Sequence, residues 1–476
     1  MDTIVNRIWQ HKLLNTAIVF MLYAGMGLMI GWLVMEPGFV RLLLTAGLFL
    51  ILFTIQKRSP QNAIYLLLLF LPFLGLIRRI LIPVVGWNTM DPLVMLGPIF
   101  ILFLTAGWFY KKYIIREAIA DDTLTFKLLR WLLAVEFLQI FNPEQGSLLT
   151  GIAGVMFYMV PVFFMILSRE LFDEAWLRKI FASVFVIGLM TAAYGFKQYF
   201  LGFFPFEQDW IDITGYTALQ VYSLTRPIST FTNSAEYAHF LAISIVVGWV
   251  YFMRGALIYK LPVLAGVIFL FASLFVESAR GPIVTALVAV FILTILSAKK
   301  MSHRVLLTVA ASFCAAGLFF GMTKLDTSND LIYHSVIGLT DPYGEHSTLK
   351  GHQDLLFNGF IEGFKNPLGH GLGSTTIAAG KFGGNLVASE ADLSNMFLAT
   401  GVIGGFLYLL ILLMILYKAF RSAVGGSSIH LTILGLLLAE TFQWLTGGHY
   451  SVVAILWIAI GYLDKSSKRI EKGGEI

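Results

Sequence analysis

Two arginines in short polar segments are the residues best suited to hold an anion. Arg226 lies in LTRPISTFTN, just before an apolar run, and Arg280 lies in ESARGP, a very short turn between two apolar runs. A guanidinium can bind two phosphate oxygens at once. Pro227 stiffens the chain beside Arg226, and Pro282 suits the first turn of a helix. The pattern predicts pre-ordered arginines facing an anion; pairing with acids or lipid headgroups is the alternative.

Two residues of the polar stretch 323–393 are candidates for moving a proton. Glu390 stands just before the last long apolar segment, where a carboxylate can deprotonate a hydroxyl or simply stabilise a helix N-terminus. His352 opens a segment with apolar residues at helical spacing, which predicts an amphipathic helix at the membrane surface. No metal site is expected, because the acids and histidines of this stretch follow no specific ligand spacing.

The composition indicates that these polar segments join membrane helices. Apolar residues make up 58% of the 476 residues and charged residues only 13%, whereas soluble domains have about 45–50% and about 25%. The chain is therefore neither a soluble globular enzyme nor a disordered protein. Its single cysteine, Cys314, excludes an internal disulfide and a multi-cysteine metal site.

Fourteen apolar runs approach the length of about 20 residues that a membrane helix needs. They predict an all-α, polytopic membrane protein with about 12–14 transmembrane helices; the weakest runs are 124–141, 428–445 and 449–463. We expect N-terminal membrane helices in 1–200, a first extracytoplasmic loop in 201–234 and central membrane helices in 235–322. A long extracytoplasmic loop in 323–393, C-terminal membrane helices in 394–463 and a basic cytoplasmic tail in 464–476 follow.

The distribution of basic residues predicts the orientation. Of the 33 lysines and arginines, 23 lie in segments that are cytoplasmic if both termini are in the cytoplasm. This asymmetry explains the net charge of +5 without nucleic acid as a partner. Charges near membrane depth are costly and often functional. The ten basic residues left at the outer side are Arg41, Arg78, Arg79, Lys197, Arg226, Arg280, Lys324, Lys350, Lys365 and Lys381.

Four other polar residues remain open on sequence grounds. Glu136 and Glu440 fall inside predicted spans, where each is either a partnered structural carboxylate or part of a polar cavity. His449 and Tyr450 fall in a short outer turn, where we expect them to face lipid headgroups.

The ordered set of TRPISTFTN, ESARGP, NPLGHGLG and SEADLSNMFLATGVIGG resembles the O-antigen ligase/polymerase superfamily, the Wzy- and WaaL-like membrane proteins. The resemblance covers roughly residues 200–420. ESARGP is similar to the Ser-x-x-Arg-Gly turn of that family, and NPLGHGLG to its Pro-hydrophobic-Gly-x-Gly-x-Gly stretch. Ser394-Asn395 stands where ligases carry a histidine, which favours a polymerase.

The resemblance implies a GT-C-like, inverting, metal-independent glycosyltransferase in the cytoplasmic (inner) membrane. Its donor would be a glycan on undecaprenyl pyrophosphate, and its acceptor a polysaccharide or lipid on the extracytoplasmic face. Arg280 and Arg226 would bind the pyrophosphate, and Glu390 or His352 would be the catalytic base. Polysaccharide assembly proteins are possible partners, and no cofactor is implied.

Three other functions compete with a polymerase. An O-antigen ligase would transfer the glycan to a lipid or protein acceptor. A polysaccharide transporter or flippase is less favoured, because such proteins tend to carry internal repeats and none is evident here. A peptidoglycan polymerase of the SEDS type shares the general design, but no motif points to it.

Overall fold

The computed structural model describes residues 38–117, 123–215, 219–221, 224–298, 300–341, 343–344, 349–387, 391–424, 427–441, 443–445 and 448–471. These residues form mainly α-helices, with one short antiparallel hairpin in which Gln220 pairs with Thr225. The elements are α1 (Phe39–Gln56), α2 (Pro60–Phe70), α3 (Leu74–Ile80), α4 (Ile82–Val85), α5 (Pro92–Phe109), α6 (Leu124–Gln139), α7 (Leu148–Leu171), α8 (Glu174–Leu201), α9 (Pro205–Thr214), β1 (Gln220–Val221), β2 (Leu224–Thr225), α10 (Ser234–Arg254), α11 (Leu257–Glu277), α12 (Arg280–Ser297), α13 (Met301–Met322), α14 (Asp330–Thr340), α15 (Leu349–Lys365), α16 (Ile377–Lys381), α17 (Asp392–Ala423), α18 (Ser428–Ala439) and α19 (Tyr450–Glu471).

Ten helical segments of the described chain are long and apolar enough to cross a membrane. They are α1, α2 with α3, α5, α7, α8, α10, α11, α12, α13 and α17. The prediction of an all-α, multi-pass membrane protein is therefore confirmed. Of the weaker predicted runs, 124–141 forms the 16-residue α6 and 428–445 only the 12-residue α18. The first predicted run, 14–34, lies outside the described residues.

Polar contacts tie the helix ends together at two opposite ends of the bundle. At one end, Asp464 pairs with Arg169, and with Lys418 at 2.6 Å. Both cations belong to segments that the sequence assigns to the cytoplasmic side. At the other end, the backbone N–H of Leu445 donates to the carboxylate of Asp392. We call this second end the loop end, because the segments 201–234 and 323–393 connect helices there.

The core of the bundle contains α7, α10, α18 and α19, which carry apolar side chains on all faces. Residues 450–460 of α19 are buried without interruption. Helices that are hydrophobic all round belong in the interior of a bundle. Trp457 is fully buried and satisfies its indole N–H by donating to the carbonyl of Trp444 at 2.8 Å. The core thus fixes the helices whose ends meet at the loop end.

The segment 366–373 packs into the protein at the loop end. Helix α17 is interrupted at Gly401, where φ is 70°. Backbone groups of α17 near this interruption form hydrogen bonds with the NPLGHGLG turn. The N–H of His370 donates to the carbonyl of Leu398 at 2.8 Å, and the N–H of Val402 donates to the carbonyl of Pro367 at 3.1 Å. A side chain at Gly373 would lie 2.0 Å from a carbonyl oxygen of α7. The glycines are therefore needed for close backbone packing.

Candidate functional site

The segment that carries Arg226 is held against α3 by its backbone. Residues 227–231 are buried. A Cβ at Gly75 would lie 1.9 Å from the carbonyl oxygen of Phe231, so only glycine allows this approach. Arg79 donates to the same oxygen at 2.7 Å and also to the carbonyl of Ser229. Arg79, one of the ten outer cations, therefore serves to fix this loop.

The same segment is also held by side chains from other helices. The Oε1 of Gln198 on α8 accepts from the backbone N–H groups of Ile228 at 3.0 Å and Ser229 at 2.6 Å. The hydroxyl of Thr230 donates to the carbonyl of Pro72 at 2.7 Å. Because its backbone is bonded on two sides, the loop presents Arg226 in a pre-ordered position.

Arg226 and Glu277 form a buried ion pair between this loop and the end of α11. The guanidinium of Arg226 pairs with the Glu277 carboxylate, and its Nε donates to the Glu277 carbonyl at 2.9 Å. The second carboxylate oxygen of Glu277 accepts from the N–H of Ala279 at 2.9 Å. Glu277 thus joins Arg226 to the ESARGP turn and holds the arginine by two groups.

The turn between α11 and α12 places Arg280 beside Arg226. Ser278 has a φ of 68° and closes α11 by donating its N–H to Leu274 O at 3.1 Å. Arg280 is then the first residue of α12. Both arginines act on His334 of α14: burial is the main cause that lowers its pKa to about 4, and the charges of Arg280 and Arg226 lower it further. Both predicted arginines are therefore close enough to His334 to act on its charge.

A small recess lies next to Arg226. Ser278, Leu331 and Tyr199 contribute to its lining, and its volume is about 10 Å³. This volume is about that of one water molecule. The recess beside Arg226 is therefore too small for a phosphate group in this arrangement.

Of the two predicted bases, only His352 lies within the described residues. Glu390 lies outside the described residues. His352 lies on α15, where its side chain is exposed. Helix α15 packs on α17 through Phe360, whose ring lies 5.4 Å from that of Phe397. The predicted amphipathic helix thus exists, with part of its apolar face covered by α17.

A second buried cluster at the loop end contains two residues that the sequence left open. Glu440 is 1% exposed, and its Oε2 lies 2.9 Å from Nδ1 of His239 on α10. The ring centroids of His239 and His449 are 5.5 Å apart. Tyr450 is 8% exposed and therefore packs inside the protein, whereas His449 beside it is partly exposed.

The sequence analysis missed His239, although a signal for it was present. A histidine inside an apolar run is costly in a membrane and calls for a partner. Glu440 is the matching polar residue at the end of another run. Glu136 is also buried, and neither of its oxygens has a hydrogen-bond partner among the described residues.

Two other outer arginines are paired with an acid. The carboxylate of Asp91 pairs with Arg41, and with Nε of Arg78 at 3.1 Å. Asp91 also caps α5 by accepting from Leu93 N at 3.0 Å. The structure thus shows pairing with an acid for Arg41 and Arg78, as it does for Arg226 with Glu277.

A cavity of about 270 Å³ lies between α3, α5, α10 and α16 at the loop end. Its lining is mostly apolar, with charged groups from Arg78, Asp91, Glu236 and Lys381. Burial is the main cause that lowers the pKa of Lys381, and the charge of Arg78 adds to it. Among the described residues, no group of three or more histidines, cysteines and acids is placed to hold a metal ion.

Comparisons with protein-family models and with curated proteins found no match to this chain. The site therefore has to be interpreted from its own geometry. Two pre-ordered arginines beside a buried carboxylate can bind an anion, and a nearby histidine–carboxylate pair can accept a proton.

Proposed function

We propose that the chain is a membrane glycosyltransferase that polymerises repeat units of a surface polysaccharide. The donor is a glycan on undecaprenyl pyrophosphate, and the loop end faces the extracytoplasmic side of the cytoplasmic membrane. The acceptor is the hydroxyl of another glycan chain. The resemblance of the motifs to the O-antigen ligase/polymerase superfamily supports this assignment.

The observation that carries the proposal is that Glu277 joins the loop of Arg226 to the turn of Arg280, by binding the Arg226 guanidinium and the N–H of Ala279. The charges of both arginines act on the same histidine, His334, although they come from different loops. Backbone contacts fix the loop of Arg226, and Arg280 begins a helix. Fixed positive charge at the leaving group stabilises the negative charge that develops in the transition state.

In the proposed reaction, the acceptor oxygen bonds to the anomeric carbon with inversion. The bond from that carbon to the pyrophosphate oxygen breaks, and the electron pair stays on the pyrophosphate, beside the arginines. The acceptor hydroxyl gives its proton to a base. Glu390 and His352 are the bases that the sequence suggests.

A deletion strain tests the proposal directly. Its lipid-linked glycans are isolated and sized against those of the wild type. Single repeat units on the carrier lipid, with no long polymer, are expected. Full-length polymer that stays on the carrier would indicate the ligase alternative. An unchanged profile would contradict both transferases and favour a transporter.

The variant Arg280→Ala tests the pyrophosphate site in the same strain. We expect no long polymer, with the protein still present in the membrane in normal amount. Normal chain length in this variant would refute the role of Arg280. The variant Glu390→Gln should lower turnover more than donor binding if Glu390 is the base.

A further inference from the structure

We propose that His239 and Glu440 form the proton-accepting pair of this site, with His239 as the base and Glu440 as the positioning residue. The inference rests on the proposed transferase function and assigns His239 the role that the sequence suggested for Glu390 or His352.

The carboxylate of Glu440 is in direct electrostatic contact with the imidazole of His239. Nδ1 of His239 lies 2.9 Å from Oε2 of Glu440, whose side chain is 1% exposed. In this arrangement the contact lacks the angle of a hydrogen bond, so Nδ1 is a buried nitrogen that has only this carboxylate to pair with among the described residues. A carboxylate at one ring nitrogen keeps the proton there, which leaves the other nitrogen as the acceptor. It also stabilises the imidazolium that forms when this nitrogen takes up a proton.

The free side of the imidazole is accessible. The side chain of His239 is 14% exposed, so a small molecule can reach part of the ring. The Oε1 of Glu440 is enclosed and has no hydrogen-bond partner among the described residues. A buried carboxylate oxygen of this kind requires a donor, which water or an acceptor hydroxyl can supply.

The pair belongs to the same polar region as the arginines. His239 and Glu277 interact electrostatically, and Glu277 is the residue that binds Arg226. The other charged or titratable groups that act on His239 are Glu440, Asp392 and His449. These groups come from α17, α18 and the turn before α19, so the imidazole lies where several helix ends meet.

In the reaction, the acceptor hydroxyl transfers its proton to Nε2 of His239 as its oxygen bonds to the anomeric carbon. The bond to the pyrophosphate oxygen breaks at the same time, and the undecaprenyl pyrophosphate leaves with the electron pair. The imidazolium, paired with Glu440, then gives its proton to water. No oxidant, metal or other reactant is needed.

The test uses the full-length protein in membranes, supplied with lipid-linked repeat units as donor and acceptor. We expect His239→Gln to lower kcat by about 100-fold or more, the usual contribution of a general base, with little change in KM. Glu440→Gln should lower kcat in the same direction with KM retained. His303→Gln is the matched control, because His303 lies exposed on α13 away from the loop end.

Chemical rescue separates a catalytic from a structural role. Added imidazole should restore part of the turnover of His239→Ala and none of that of Arg280→Ala. Wild-type kcat in His239→Gln, or a large loss confined to His352→Gln, would overturn the inference while the transferase function stands. Absence of any polymerisation by the wild type would instead refute the proposed function itself.

Discussion

Replacing Asp91 by asparagine should destabilise the protein by about 3–5 kcal/mol, the usual cost of breaking a buried ion pair. The side chains of Asp91 and Arg41 are 0% exposed, and that of Arg78 is 11% exposed. One carboxylate therefore compensates two buried guanidiniums. Asparagine keeps an oxygen that can cap α5, so the loss is mainly electrostatic. This cost is a large part of a typical total stability of about 5–15 kcal/mol.

The assay compares SDS-induced unfolding and the apparent melting temperature in detergent. Glu174→Gln is the control, because the pair of Glu174 and Arg178 is exposed and of the (i, i+4) type; such pairs contribute only about 0.3–0.5 kcal/mol. Adding Arg41→Gln to Asp91→Asn should recover part of the loss, since one uncompensated charge disappears. A loss in Asp91→Asn no larger than in the control would refute the structural role of the pair.

Three further predictions concern packing, charge and orientation. Gly373→Val should prevent accumulation of folded protein, measured by detergent size-exclusion chromatography, because its Cβ would lie 2.0 Å from a backbone oxygen. Arg280→Gln should raise the pKa of His334 above its value of about 4, because one of the positive charges that lower it is removed. Diethyl pyrocarbonate modifies only neutral histidine. As the pH is lowered, modification of His334 should therefore cease at a higher pH in Arg280→Gln than in the wild type. In a chain without the native cysteine, Ser328→Cys should react with a membrane-impermeant maleimide in intact cells and Ala175→Cys should not; the reverse labelling would refute the predicted orientation.

The membrane helices could be predicted because their signal is one-dimensional. A run of apolar residues of sufficient length identifies a span without knowledge of its neighbours. The apolar run that follows the ESARGP turn, for example, forms α12, Arg280–Ser297. Runs that are short or carry charged residues, such as 124–141, form helices that are not long and apolar enough to count as membrane spans.

The polar pairs could not be predicted in the same way, because their partners lie on different helices. Asp91 pairs with Arg41 from the far side of one span and with Arg78 at the end of that span, and Glu440 pairs with His239 across several intervening spans. The sequence marks each of these residues as unusual but does not give the depth at which each helix crosses its neighbours. The glycine-rich turn is a related case. The burial of its glycines follows from close backbone packing, which leaves no periodic pattern in the sequence.

The arginines of the loop end differ in what surrounds them, and this difference supports separate roles. Arg41 and Arg78 share an enclosed carboxylate, and Arg79 is bonded to two carbonyls of the loop 226–234. These three cations hold the fold. Arg226 also binds an enclosed carboxylate, that of Glu277, but this carboxylate in turn accepts from the N–H of Ala279, next to Arg280. Glu277 therefore joins the two arginines of the proposed site, and an anion that binds there has to compete with this carboxylate for Arg226.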